Sequence, residues 1–335
     1  DGLCANTVYT LQPLHPFGAE VIGLDLNSMP SDCVLSKLEQ DMAQSGFLVF
    51  RDQGLLEAED LVRISKYFGG RELLSRHTVH PEALHEDVFR LSNLPDHGIN
   101  GVGPQWHNDG STERIVFSHI GFHAEEMPSS GGETEFANLA AAYASLPSHV
   151  KDEWSQLASV NAYSGAVHPL VHRHPISGKD VLFLHLGQTG AVIRWPTASL
   201  AAEAKAQQEW SNLEGMDPRA GPALLGKGYR VLSAEELTTF FHMYNALLSR
   251  PEHRAAYKYT KGDLLLLDNL AVAHRAAVSA HDSRNGLRIL HRTTVNGVRK
   301  LDPPTVSGLP PFLYIFGENP LCDGGVWQSS DYYGV

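Results

Sequence analysis

Trp106-His107-Asn108-Asp109-Gly110-Ser111 sets an imidazole and a carboxylate two residues apart. In extended backbone, residues i and i+2 project to the same side, so His107 and Asp109 can face one metal ion. A second imidazole comes from Asp268-Asn269-Leu270-Ala271-Val272-Ala273-His274, where an apolar strand runs into a turn and a histidine follows. Two histidines and one carboxylate make the facial triad of non-haem Fe(II) oxygenases, which leaves coordination positions open for reactants. The plain alternative is a solvated His107–Asp109 pair and a core His274. Spacing alone leaves both open.

Two arginines weigh on that choice. In Arg288-Ile289-Leu290-His291-Arg292-Thr293, strand alternation puts Arg288 and Arg292 on one face. Two guanidiniums aimed into one pocket are costly unless an anion lies between them. A small dicarboxylate would answer both. Surface exposure is the competing reading, and the flanking apolar residues weaken it.

Histidine abundance adds little. The chain has 18 histidines in 335 residues, and with its aspartates that abundance yields roughly one His-x-Asp triplet by chance. Two are present, His107-Asn108-Asp109 and His85-Glu86-Asp87. The second lacks the Trp-His-x-Asp-Gly context and is expected to be incidental. His168, His172 and His174 have zinc-like spacing, but a structural role is the expectation there. His119 and His123 alternate with apolar residues and are expected to be ordinary strand positions.

Composition narrows the class. A net charge of −12, with 19% charged and 42% hydrophobic residues, is that of a globular protein and argues against nucleic-acid binding, which needs a basic face. No apolar run approaches the roughly 18 residues of a membrane helix. Cys4, Cys33 and Cys322 are odd in number and scattered, which suggests free thiols and a reducing, cytoplasmic setting. A targeting segment trimmed ahead of Asp1 is compatible with that. The phosphate loop, the nucleophile elbow, the His-Glu-x-x-His motif and the dinucleotide fingerprint are all absent.

The elements that must position these residues are mainly strands. Val21–Leu26, Phe47–Phe50, Val88–Leu91, Ile115–Phe122, Val181–Leu186, Leu264–Leu267 and Arg288–Val295 have strand patterns. Helical spacing appears at Leu35, Leu38 and Met42, at Leu61, Ile64 and Phe68, and at Val150, Trp154 and Leu157. Residues 198–213 form an Ala/Glu/Gln-rich helix pattern, and Ser233-Ala234-Glu235-Glu236 has capping-box form ahead of Leu237, Phe241, Tyr244 and Leu248. Strands early and late with helices between them predict a β core with flanking helices.

These blocks resemble the TauD/TfdA family of Fe(II)/2-oxoglutarate-dependent dioxygenases. The matching segments are Trp106–Asp109, Met127–Asn138, His168–Val171 with His174–Lys179, Gly262–His274 and Arg288–Thr293, in the family's order. The resemblance implies a mainly β fold with flanking helices around a double-stranded β-helix (jelly-roll, cupin-like) core. A single catalytic domain would span 1–335, with the core over about 15–297, a helical insertion over about 140–250 and a C-terminal extension over about 301–335. His107, Asp109 and His274 become the iron ligands. Thr134 and Arg292 match positions that hold the distal carboxylate of 2-oxoglutarate, and Arg288 matches an arginine near its other end. Fe(II), 2-oxoglutarate and O2 are the implied cofactors, with succinate and CO2 released as a small polar or anionic molecule is hydroxylated. Oxidative cyclisation or desaturation of an amino-acid-like metabolite is the runner-up. A metal-binding jelly roll without catalysis is the non-enzyme alternative, against which the complete residue set argues.

The substrate pocket is less sharply marked. The resemblance places a lid over the metal in the segment from His77 to Gly103. It puts His80 near a histidine that a sulfonate-binding member uses, while Gly103 stands where that member has a polar side chain, which argues against taurine. Tyr163, Ser164 and Gln188 are further candidates for the pocket wall. A small-molecule substrate is expected, with no nucleic-acid or membrane partner; a homo-oligomer is compatible with the long C-terminal tail.

Overall fold

The computed structural model describes residues 9–301 apart from 29, 52, 55, 75–78 and 195–229. The helix pattern at 198–213, His77 and the C-terminal extension beyond Leu301 lie outside the described residues.

Alternation in a few strands builds the core. In β3 (Phe47–Phe50) and β14 (Leu264–Asp268), all positions are apolar and buried except the final aspartate, which is buried too. Such two-faced burial needs cover on both sides. Leu48, Phe50, Leu264 and Leu266 pack outward against Leu35, Leu38 and Met42 of α1 (Asp32–Ser45) and Leu61 and Ile64 of α2 (Ala58–Ser65). Phe47, Val49, Leu265 and Leu267 face inward. Burying each such side chain stabilises by about 1.5–3 kcal/mol.

The inward face meets a second sheet. Seven strands run in the order β1-β2-β3-β14-β5-β16-β4, with β1 Thr10–Pro13, β2 Ala19–Ile22, β4 Phe89–Ser92, β5 Phe117–Glu126 and β16 Ile289–Asn296. Opposite lies the sheet β13-β6-β15, formed by Arg254–Tyr257, Thr134–Asn138 and Val272–Ala276. Phe47 and Phe136 close the gap with ring centres 4.8 Å apart. These facing sheets form the expected jelly roll. A third, four-stranded sheet includes β7 (Leu157–Asn161) and β11 (Thr189–Arg194). It packs with α3 (Leu139–Ala144), α4 (Ser148–Trp154) and α5 (Ala234–Leu248) around Trp106 and Trp154.

Several expectations need correction. Leu157 starts β7 and does not continue the α4 face, because Ser155 caps that helix. The segment expected to be a lid contains β4, which pairs with β16 from Ile289↔Ser92 to Arg292↔Phe89. The insertion expected to be helical also carries strands. Cys33 is disulfide-bonded, which removes the argument for a reducing setting; the other two cysteines lie outside the described residues. No helix among the described residues is long and apolar enough to cross a membrane.

Candidate metal centre and its surroundings

His107 and His274 meet across a backbone bridge. Each N–H donates to the other residue's carbonyl, at 3.0 and 2.9 Å, and the ring centres lie 4.1 Å apart. Asp109 completes the group: one ligand atom from each of the three lies within 4.8 Å of the others. All three residues are buried.

Asparagines fix this geometry. Asn108, between the two ligand candidates, donates to the carbonyls of Asn269 at 2.7 Å and Val272 at 3.1 Å. Asn269 accepts from the Asp109 N–H at 2.9 Å and donates to the Asp109 and Phe117 carbonyls at 2.9 and 2.7 Å. The His-x-Asp segment is thereby tied to the turn that precedes His274. His168 Nε2 lies 3.0 Å from the Ser111 carbonyl, and His174 Nε2 lies 3.0 Å from Asp268 Oδ2. These two histidines brace the same turns from behind.

The protonation pattern suits a metal. His107 Nδ1 is 2.7 Å from the Gln105 carbonyl, which can only accept. Nδ1 therefore carries the proton, and Nε2 keeps its lone pair 3.7 Å from Asp109 Oδ1. This orientation by an outer hydrogen bond is the usual device for a metal-binding histidine. Burial pushes His107 below the ordinary imidazole range. It pushes His274 well below, with the neighbouring His107 adding to it. His274 Nδ1 has no hydrogen-bond partner among the described residues. Two neutral imidazoles and one carboxylate form a donor set that fits Fe(II).

The two arginines divide between the ends of the site. Arg292 Nη1 lies 3.0 Å from Asp109 Oδ2, and its guanidinium sits 4.7 Å from the Phe89 ring centre. Its Nε and Nη2 have no hydrogen-bond partner among the described residues. Arg288 donates from Nε to the Gly132 carbonyl at 2.9 Å and from Nη2 to Thr134 Oγ1 at 3.3 Å. It makes no ion pair among the described residues, and burial lowers its pKa. From sequence, Thr134 is grouped with Arg292; the structure groups it with Arg288. The cause is register. Thr134 opens β6 and Arg288 immediately precedes β16, whereas Arg292 is level with Phe122 and Phe89, beside the cluster.

The pocket-wall candidates scatter. His80 Nδ1 accepts from the Glu82 N–H at 3.2 Å and caps the turn Pro81–Ala83; no hydrogen bond among the described residues joins it to the cluster. Tyr163 is exposed, and its N–H, like that of Ser164, donates to Asn161 Oδ1. Gln188 Oε1 accepts from Ser111 Oγ at 3.0 Å and Asn161 Nδ2 at 3.3 Å. It supports the turn after Asp109.

Sequence reasoning missed His185 and Gln105. The His185 ring centre is 4.9 Å from that of His107. Its segment runs beside the His-x-Asp segment through Asn108 N–H to Leu184 carbonyl at 3.3 Å and Leu186 N–H to Trp106 carbonyl at 3.1 Å. The apolar run around His185 gave only a strand signal, and nothing local revealed this pairing.

Comparison with known proteins gives a consistent picture. The family model described as taurine catabolism dioxygenase TauD, TfdA family matches residues 10–294. The alpha-ketoglutarate-dependent 2,4-dichlorophenoxyacetate dioxygenase of Cupriavidus pinatubonensis is 24% identical over 310 residues, covering 82% of this chain and 94% of that one. The alpha-ketoglutarate-dependent sulfate ester dioxygenase of Pseudomonas putida is 22% identical over 315 residues, covering 85% and 89%. A crystal structure of a taurine dioxygenase from Burkholderia xenovorans superposes with a TM-score of 0.66 at 24% identity, covering 88% and 92%.

Proposed function

The chain belongs to the TauD/TfdA dioxygenase family, and we propose that it hydroxylates a small anionic molecule with Fe(II), 2-oxoglutarate and O2. His107, Asp109 and His274 would hold the metal. Bound there, Fe(II) with 2-oxoglutarate and O2 supplies oxidative decarboxylation to succinate and CO2 and an oxidant for a substrate C–H bond. The observation that carries the reading is the division of charge around the buried triad. Arg288 is a buried cation without an ion pair among the described residues, and Thr134 sits on its guanidinium. That pair would take the distal carboxylate of 2-oxoglutarate, giving the buried charge its partner. Four residues of extended strand separate Arg288 from Arg292 by up to about 13 Å. The two arginines therefore serve different groups. Arg292 steadies Asp109, and its Nε and Nη2, without a hydrogen-bond partner among the described residues, would hold an anionic head at the metal end.

Relatives described as acting on an aryloxyacetate and on sulfate esters support an anionic substrate. The test is anaerobic addition of Fe(II) and 2-oxoglutarate, which should give the weak visible band of the two together. His107→Ala should abolish it. Arg288→Ala should raise the Kd for 2-oxoglutarate about 10- to 100-fold, the worth of a lost charge-assisted contact. Wild-type protein that shows no band and binds no 2-oxoglutarate overturns the reading.

A further inference from the structure

One wall of the site carries polar groups that the metal and the cosubstrate leave unused. His185 is half-buried, its ring faces His107, and its Nδ1 is buried without a hydrogen-bond partner among the described residues. Gln105 Oε1 is in the same condition. Gly187 brings the two together: a β-carbon there would come 2.7 Å from Gln105 Oε1 and 3.7 Å from His185 Nδ1. Any larger residue at 187 would displace the amide. Gly103 keeps the neighbouring space open, since its β-carbon would press to 3.0 Å from His107 Cε1. Its φ of +69° also favours glycine.

Buried polar atoms without partners are costly, each by about 1–3 kcal/mol, and two of them within 4 Å of one point beside Gly187 suggest a ligand that satisfies both. The His185 ring lies against His107 at the metal end of the site, where Arg292 meets Asp109, while Arg288 and Thr134 are paired at the far end. The wall therefore belongs to the substrate side.

We propose that His185 and Gln105 are specificity-determining residues that hydrogen-bond a hydroxyl or amino substituent of the anionic substrate, selecting it over alkyl and aryl analogues. The inference rests on the preceding reading for the metal and 2-oxoglutarate. An amide and a neutral imidazole each offer donor or acceptor character, so either substituent is served. A site built to hydrogen-bond a polar substituent rejects the analogue without it, because its own groups are then left unpaired.

The test uses protein loaded with Mn(II) and 2-oxoglutarate without O2, and reads binding by calorimetry for two near-isosteric pairs. These are isethionate against propane-1-sulfonate and 3-hydroxypropionate against butyrate. Wild-type protein should bind the hydroxy member of at least one pair about tenfold or more tightly, the ratio expected for one buried hydrogen bond. His185→Phe and Gln105→Leu should each collapse that ratio toward one while leaving the Kd for 2-oxoglutarate unchanged. Equal binding within both pairs, preference for the alkyl members, failure to bind either pair, or variants that keep the ratio all overturn the proposal. Loss of both 2-oxoglutarate binding and discrimination in the variants assigns the wall a merely structural role and also overturns it. Failure of wild-type protein to bind 2-oxoglutarate overturns the preceding reading, and this proposal falls with it.

Discussion

The seven-stranded sheet carries a second cluster that looks like the first. His123 and Glu125 on β5 and His291 on β16 also bring one ligand atom each within 4.8 Å. Here too a His-x-carboxylate pair is met by a histidine from another strand, in this case the neighbour in the same sheet, with His291 directly opposite His123. The hydrogen bonds around the two clusters set them apart. At His107, a carbonyl accepts from Nδ1 and frees the Nε2 lone pair. At His291, Arg90 Nη1 lies 2.7 Å from Nε2. A guanidinium has no lone pair and must donate, so Nε2 accepts, and the proton of the neutral ring sits on Nδ1. Neither nitrogen of His291 then offers a lone pair. Residue types and distances nominate both clusters; the partner of one ring nitrogen separates them.

The largest expected effect tests that separation. Removing a ligand from the buried triad, as His107→Ala or His274→Ala, should lower Mn(II) affinity by about 100-fold or more, whereas His123→Ala should leave it within about twofold. Titration of wild-type protein should then give one equivalent of metal. Two equivalents of similar affinity would mean that the Arg90 contact does not block the outer cluster. A smaller effect is expected one layer out. Asn269→Ala leaves the Asp109 N–H and two carbonyls without their side-chain partner. It should cost about 3 kcal/mol of stability and weaken metal binding about 10- to 100-fold. Chemical denaturation and metal titration of one variant read both.

How far the sequence reveals this contrast depends on the range of the interaction. Elements set by neighbours along the chain are legible. The capping box at Ser233 and Glu236 forms, Phe47–Phe50 is a strand with those bounds, and Leu35, Leu38 and Met42 line the buried face of α1. The His-x-Asp pair is legible in part, since alternation allows both side chains onto one side, but spacing alone does not choose His274 as their partner; the order of the surrounding blocks does. The arginines are legible as a same-face pair but not as two separate stations, because alternation says nothing about which strand end meets Thr134. His185 is hidden altogether. Its role comes from the 184–186 segment lying beside 106–108, a pairing across nearly eighty positions without a local mark. Arg90 and His291 are likewise joined only by the β4–β16 pairing.

The smallest expected effect bears on that last contact. Arg90→Met removes the donor at His291 Nε2, so the proton can move there and leave Nδ1 open toward the outer cluster. A weak second equivalent of metal should appear in titration, far below the affinity of the buried triad, because Glu125 is partly exposed and no carbonyl among the described residues orients His291. The same variant should change the pH dependence of stability. His291 is pushed down to about 4, chiefly by burial and then by Arg90. A histidine lowered in the folded state binds more protons when unfolded. Its contribution is therefore present in full above the unfolded pKa near 6.5 and is lost as pH falls toward about 4, at up to about 1.4 kcal/mol per unit. Removing Arg90 relieves part of that depression, so the Tm of Arg90→Met should fall less steeply than wild type between pH 6.5 and 4.5. An unchanged slope together with an unchanged metal stoichiometry would show that burial alone governs His291. The difference between the two clusters would then have to lie in their carboxylates, Asp109 buried against Arg292 and Glu125 only partly buried.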